Sequence, residues 1–213
     1  MSAIPFQNNI IDVYHETDIT DWNAIFGSGI RAVIHKATEG LYFKDGTFIA
    51  RQGAAKAAGL MWGSYHFLTP QNGIEQANYY LDFAKPDQDE LVAVDVEREG
   101  TAFDVLCDFV NQIHSKLGRY PVVYGSNVLR SLTAGHPGDS SVLHNCPLWI
   151  ADYGSDSPQL PAPWSFWTLW QYTDGTNSAP GFGSDSVPGI NGAVLRDTFN
   201  ITDKPLASYW PNI

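Results

Sequence analysis

The sequence predicts an α/β protein that folds as an irregular TIM-like (β/α) barrel, with residues 1–213 forming a single domain. A length of 213 residues suits one barrel domain. Short apolar runs rich in β-branched or aromatic residues alternate with segments of helical period, which is typical of a parallel sheet covered by helices. Because there are about eight strand-like runs, a closed barrel is favoured over an open sheet.

The strand-like runs are apolar stretches with residues of high β-propensity, and in several cases glycine or proline lies close to an end. In chain order the predicted strands cover residues 10–14, 32–36, 61–67, 91–97, 121–125, 148–153 and 166–172, with a weaker one near 193–199. The helical segments are predicted at 48–58, 74–84 and 103–117, and glycines follow the first and last of them. The second half shows no obvious helices between its strands, so we expect unequal units.

The composition excludes several classes of function. The 12 basic residues are outnumbered by 23 acidic ones, giving a net charge of -11 that disfavours binding to nucleic acid or to an anionic membrane. No apolar stretch is long enough to span a bilayer. The first residues, MSAIPFQNN, lack the features of a signal peptide. Two cysteines, Cys107 and Cys146, do not suggest a disulfide framework, and Cys107 is expected on the apolar face of a helix.

Two acids close the predicted strand LVAVDVE. Residues two apart on a strand point to the same face, so Asp95 and Glu97 are expected to share one side, with Cα atoms about 6 to 7 Å apart. Ionised carboxylates inside a parallel sheet are costly, but at the C-terminal end of a barrel strand they open into the active-site mouth. Paired carboxylates are what glycosidases use to cleave a glycosidic bond.

Other predicted strands also end in polar or aromatic residues. These are Asp12 on the first strand, Tyr65 and His66, Tyr124, Asp152 and Tyr153, and Trp170, Gln171 and Tyr172. Each residue alone is better explained by a hydrogen bond in the core or at a cap. Together they predict a polar, aromatic-lined cleft at one end of the barrel.

Three histidines raise the alternative of a metal site. His15, His35 and His66 lie in or near predicted strands, but the chain has no His-x-His, no His-Glu-x-x-His and no pair of closely spaced cysteines. The sequence therefore predicts no metal ligand set, and we expect no cofactor.

Over nearly its full length the chain resembles the family 25 glycoside hydrolases, the Chalaropsis-type lysozymes. The matching segments follow the family's order and spacing, which is far more specific than any one segment. They are IDVYHETDITDW (11–22), AVIHKATEG (32–40), AAGLMWGSYHF (57–67), VAVDVE (92–97), YPVVYGS (120–126), PLWIADY (147–153) and LWQYTDG (169–175).

The resemblance implies a peptidoglycan hydrolase, a β-1,4-N-acetylmuramidase that cleaves between N-acetylmuramic acid and N-acetylglucosamine without a metal or organic cofactor. By the resemblance Glu97 is the general acid, Asp95 assists the acetamido group of the substrate, and Asp12 is the first-strand acid of the same cleft. The residues assigned to substrate binding are Tyr65, Tyr124, Asp152, Trp170, Gln171 and Asp197.

The last strand departs from the family pattern. The family commonly has an acid, any residue, Asn and, two further on, Phe, whereas this chain reads AVLRDTF. Leu195 therefore stands in the acid's place and Asp197 in the asparagine's. Either a register shift lets Asp197 supply the carboxylate, which we favour, or the site is altered.

A non-catalytic wall-binding module on the same barrel is the alternative function. The presence of both Asp95 and Glu97 favours an enzyme. The expected partner is the glycan strand of peptidoglycan, with no nucleic acid and no membrane, and the protein is expected to be a monomer. It would act on the bacterial cell wall, in the extracellular space or the periplasm. With no visible signal peptide, lysis, a dedicated secretion system or processing of a longer chain would deliver it there.

Overall fold

The computed structural model describes residues 7–136, 142–182, 186–200 and 204–213. Residues 1–6, which belong to the segment without signal-peptide features, lie outside this part. The strands are β1 Gln7–Val13, β2 Asp18–Ile19, β3 Ala32–Glu39, β4 Phe43–Lys44, β5 Met61–Phe67, β6 Leu91–Val96, β7 Val122–Gly125, β8 Leu148–Ala151, β9 Leu169–Thr173, β10 Ile190–Asn191 and β11 Leu195–Phe199. The helices are α1 Trp22–Gly27, α2 Phe48–Ala57, α3 Gly73–Ala84, α4 Phe103–Leu117 and α5 Asn127–Ala134, and short 3-10 turns lie at Val142–Asn145 and Leu206–Ser208.

Eight of these strands close into a barrel in the order β1, β3, β5, β6, β7, β8, β9, β11 and back to β1. Strands β1 to β9 of this ring pair in parallel, which confirms the predicted arrangement. Strand β11 runs antiparallel to both of its neighbours, so the expectation of a parallel sheet is wrong there. The physical reason is that the described residues between β9 and β11 form no crossover helix that would return the chain to the other end of the barrel.

Two helices are absent from the sequence prediction. Helix α1 begins after Asp21, whose side chain accepts hydrogen bonds from the backbone of Asn23 and Ala24. Helix α5 lies between β7 and β8, in the half of the chain where no helix was expected. It is short and buries only Leu129 and Thr133. In the described residues no helix is long and apolar enough to cross a membrane.

Side chains alternate between two apolar layers along each barrel strand. One layer lies between the sheet and the helices and contains Trp62, Phe109 and Ile113. The other fills the barrel interior with strand residues such as Ile10, Leu91 and, from the last strand, Phe199. This alternation decides which side chains at the strand ends face the mouth. Cys107 is partly buried against the outer layer, Cys146 is buried, and neither forms a disulfide.

Candidate active site

A pocket opens where the parallel strands end. Its walls come from seven strands of the barrel and from residues just after two of them. The lining residues are Asp12, Tyr14, Tyr65, Asp95, Glu97, Tyr124, Trp149, Gln171 and Leu195. Carboxyl groups, hydroxyl groups and aromatic faces therefore surround one cavity, which is the composition expected of a site for a polar, ring-shaped ligand.

Six of the residues proposed from sequence come together in this pocket. They are Asp12, Tyr65, Asp95, Glu97, Tyr124 and Gln171. Their convergence follows from one rule, since each lies at or just beyond the carboxyl end of a parallel strand and points inward.

Trp170 and Asp152 do not join them. Trp170 is 1% exposed, packs against Trp167 and Phe182 in the outer layer, and donates from Nε1 to the carbonyl of Asp152 at 2.7 Å. Because Gln171 faces inward, its neighbour on the strand must face outward. The Asp152 carboxylate accepts from the backbone of Gly154 and Gln159 at 3.3 Å each and shapes the loop after β8. Neither side chain lines the pocket.

The last strand combines both alternatives raised by the sequence. Leu195 pairs with Asp12 across the β1–β11 ladder and lines the pocket, so an apolar group occupies the acid's place. A register irregularity falls between Arg196 and Asp197. Asp197 nevertheless stays fully buried, opposite Ile10 in the layer below the pocket. It supplies a carboxyl group beneath the site and does not line the pocket.

The two acids, Asp95 on β6 and Glu97 just after this strand, lie in different environments. Asp95 is 5% exposed, and its burial, reinforced by the charge of Glu97, raises its pKa well above the ordinary value. Glu97 follows the strand and is exposed at the rim. Partial loss of water around its carboxyl group still raises its pKa, while the nearby Tyr124 hydroxyl and the charge of Lys36 oppose the shift. The two groups titrate as a pair and release their protons in separate steps.

The side chain of Lys36 brings a positive charge to this site. Its charge lowers the pKa of both Asp95 and Glu97, against the effect of burial. Its Nζ atom forms a 2.6 Å ion pair with Glu39 and lies 4.8 Å from the centre of the Phe67 ring. The lysine is thereby held beside the acid pair.

Gln171 connects the aromatic wall to the first-strand acid. Its Oε1 atom accepts hydrogen bonds from the hydroxyl of Tyr124 at 2.9 Å and from the hydroxyl of Tyr153. Its Nε2 atom donates to Asp12 Oδ2 at 2.7 Å. This network fixes the orientation of Asp12, whose side chain is 5% exposed.

Asp12 also forms a hydrogen bond with Asp197. Burial raises the pKa of Asp12 to about 7 and that of Asp197 well above its ordinary value. Trp149 Nε1 donates to Asp197 Oδ1 at 2.7 Å, whereas Oδ2 receives no hydrogen bond from the described part of the chain, as expected of an oxygen that carries the proton. Protonated Asp197 therefore donates to the Asp12 carboxylate.

Three side chains around the pocket were not predicted from the sequence, namely Tyr14, Lys36 and Trp149. Lys36 ends a predicted strand, so the rule applied to the other strand ends would have included it. Tyr14 follows Asp12 by two residues and shares its face. Trp149 lies in mid-strand and is indistinguishable in sequence from a core tryptophan. Its contact with Asp197 depends on a strand 48 residues away.

The histidines considered as metal ligands have other partners. His66 Nδ1 lies 2.7 Å from Thr38 Oγ1, and its Nε2 lies 3.2 Å from Gln76 Oε1. His35 Nδ1 lies 2.6 Å from the carbonyl of Lys36. Burial lowers the pKa of both to about 4, so the two rings are neutral members of the packed layer.

Comparison with known proteins places the chain among cell-wall hydrolases. The model of glycosyl hydrolases family 25 matches residues 11–181. Lysozyme M1 of Streptomyces globisporus is 28% identical over 207 residues, which cover 89% of this chain and 67% of that protein. The autolytic lysozyme of Clostridium acetobutylicum is 31% identical over 194 residues, covering 89% of this chain and 55% of that protein.

Comparison with solved structures also finds a lysozyme. The crystal structure of the bacterial lysozyme from Streptomyces coelicolor superposes with a TM-score of 0.81 at 27% identity and covers 95% of this chain and 96% of that chain. The barrel described above is therefore similar over almost its whole length to a solved lysozyme.

Proposed function

The chain belongs to the glycosyl hydrolases of family 25 and is a hydrolase of the lysozyme type, and from this premise we propose that it is a muramidase. The bond to be cleaved is the β-1,4 linkage between N-acetylmuramic acid and N-acetylglucosamine in peptidoglycan. One observation supports this function most directly. An acid pair with one buried and one exposed member occupies the mouth of the barrel.

The environments of the two acids suit two different tasks. Asp95 Oδ1 is buried and has no hydrogen-bond partner in the described residues, so it is available to an N–H donor of a bound ligand. An acetamido N–H of the substrate is such a donor. Glu97 stands at the rim, where its proton can reach the oxygen of a leaving sugar.

In this mechanism the acetamido oxygen of the substrate attacks the anomeric carbon while the bond to the leaving oxygen breaks. Glu97 gives its proton to that oxygen, and Asp95 stabilises the positive charge that develops on the acetamido nitrogen. Water then attacks the anomeric carbon of the cyclic intermediate and returns a proton to Glu97. Two displacements on one carbon give net retention of configuration.

Substrate binding also places the proton where the reaction needs it. In the free pocket, burial favours the protonated form of Asp95 more than that of exposed Glu97. A bound N–H donor favours ionised Asp95, and a sugar that covers Glu97 removes water and favours its protonated form. The shared proton therefore moves from Asp95 to Glu97 when the ligand binds.

The test is turbidity loss of purified peptidoglycan, with mass spectrometry of the released fragments after borohydride reduction. Wild type is expected to release fragments with reduced N-acetylmuramic acid ends. Glu97→Gln should release none, because it has no proton to donate, and Asp95→Asn should be slowed by about a hundredfold or more. Wild type that binds the wall and releases nothing would make the barrel a recognition module. Proton NMR identifies the anomer that forms first, and an inverted anomer would exclude the retaining route.

A further inference from the structure

An exposed tyrosine stands at the mouth of the barrel, outside the pocket. Tyr42 lies in the hairpin that joins β3 to β4, immediately after the carboxyl end of β3. Its side chain is 63% exposed. Strand β3 lies between β1 and β5, which carry Asp12 and Tyr65, so this hairpin belongs to the same rim as the pocket.

The ring is held in place although it faces water. The Tyr42 hydroxyl donates to Glu39 Oε1 at 2.6 Å, and the other oxygen of Glu39 is paired with Lys36 at 2.6 Å. Gly40 has a φ of +50°, and a Cβ atom there would lie 2.6 Å from Tyr42 Cε1. A glycine is thus required for the ring to approach the backbone so closely. An exposed aromatic ring that is already ordered loses little entropy when a ligand covers it.

The same contacts join the ring to the acid pair. Lys36 and Glu39 both act on the charge of Asp95, and Arg98, the residue after Glu97, acts electrostatically on Glu39 and on the Tyr42 hydroxyl. Arg98 is exposed. The contacts of Lys36 and Glu39 therefore form a polar path from beside the acid pair to the Tyr42 ring.

This arrangement suits a sugar ring. One face of a pyranose carries C–H groups with partial positive charge, which pack against the negative face of an aromatic ring. The hydroxyl and acetamido oxygens at its edge can accept hydrogen bonds from a guanidinium group. A glycan strand longer than the pocket must leave it across the rim.

We propose that Tyr42 is a stacking platform for a further N-acetylated pyranose of the glycan strand whose reacting sugars occupy the pocket. This inference rests on the proposed muramidase function and extends its binding site. The platform contributes to the affinity for long strands and leaves the chemistry of bond cleavage to the pocket.

The experiment measures the affinity for peptide-free peptidoglycan glycan strands of four and eight sugars by calorimetry. The Glu97→Gln background prevents hydrolysis during the titration. That parent is expected to bind eight sugars more tightly than four. Adding Tyr42→Ala should remove most of this gain and weaken binding of the long strand by about fivefold to tenfold, the size of one aromatic contact.

Two matched variants identify the cause. Tyr42→Phe keeps the ring and should retain most of the gain. Phe166→Ala removes a ring that is 65% exposed but precedes β9, at the opposite end of the barrel, and should leave both affinities unchanged. A folded Tyr42→Ala protein that binds the eight-sugar strand as tightly as its parent would overturn the platform alone. A parent that binds neither strand would overturn the muramidase proposal together with the platform.

Discussion

Asp197 donates a hydrogen bond to Asp12 from the layer beneath the pocket, where burial raises the pKa of both carboxyl groups. Trp149 and Gln171 each hold one member of the pair through a 2.7 Å hydrogen bond. A protonated aspartic acid has a donor and an acceptor at the end of its side chain, as asparagine does. Asp197 can therefore perform the hydrogen bonding of the asparagine that the family commonly has at this place.

Asp197→Asn is expected to flatten the dependence of stability on pH. The wild-type pair has raised pKa values in the folded state, so it contributes stability that is complete below about pH 4 and is lost as pH rises towards 7. The variant keeps the donor to Asp12 without that titration. It should lose less stability between pH 4 and pH 7 than wild type, by about 1.4 kcal/mol or more, the value of one pKa unit.

Urea denaturation at a series of pH values measures this difference. Asp197→Leu is the matched control, because it removes the titration but also leaves Trp149 Nε1 without an acceptor. That variant should be less stable at every pH, by about 1 to 3 kcal/mol. An Asp197→Asn protein with the slope of wild type would mean that Asp197 does not carry the shared proton.

Leu195→Asp should move the activity profile towards higher pH. Leu195 is the cross-strand partner of Asp12 and lines the pocket, so a carboxylate there adds negative charge beside Asp12. Like charge raises the pKa of neighbouring carboxyl groups. Leu195→Asn has similar size without the charge and should leave the profile in place. The measurement is kcat/KM against pH, and coincident profiles for the two variants would contradict the prediction.

Lys36→Gln should also shift the profile upward, for a different reason. The charge of Lys36 lowers the pKa of Asp95 and Glu97, so its removal should raise both, moving the limbs of kcat/KM by about 1 pH unit or less. Lys44→Gln serves as the control, because that ammonium group lies over Tyr79, 5.0 Å from the ring centre. An unmoved profile for Lys36→Gln would show that the lysine has no electrostatic effect on the acid pair.

Gly40→Ala should reproduce the effect of removing the Tyr42 ring. Its positive φ makes alanine costly by about 1 to 2 kcal/mol, and the new methyl group would displace the ring. Gly118→Ala bears a similar backbone strain at φ +70°, with nothing within 4 Å of the added atom. Both should be less stable than wild type in urea denaturation. Only Gly40→Ala should weaken binding of the eight-sugar strand. Equal affinities of the Gly40→Ala and Gly118→Ala variants for that strand would contradict the prediction.

Most of the regular structure could be predicted from the sequence. The strand Met61–Phe67 and the helix Phe103–Leu117 have the predicted bounds, because each carries the full apolar pattern of its element. The direction of β11 could not be read from its residues, since an isolated strand has the same alternation whichever way its neighbours run. Its direction follows from the lack of a crossover helix in the described residues between β9 and β11.

The inward or outward orientation of a side chain was harder to predict than its position at a strand end. Gln171 and Trp170 are adjacent, and the sequence offered both as pocket residues. The strand can present only one of them to the interior, and the packing of Trp170 against Phe182 places it outside.

The meeting of carboxyl and aromatic groups at one end of a barrel could be predicted from the residues alone, because parallel strands bring their carboxyl ends to one edge. The common direction of Asp95 and Glu97 could be predicted as well, since residues two apart on a strand point to the same face. The placement of Leu195 in the pocket wall, with Asp197 below it against Asp12, required the folded barrel to be known. The depth of a side chain depends on the register between strands distant in sequence, and packing across the whole barrel sets that register.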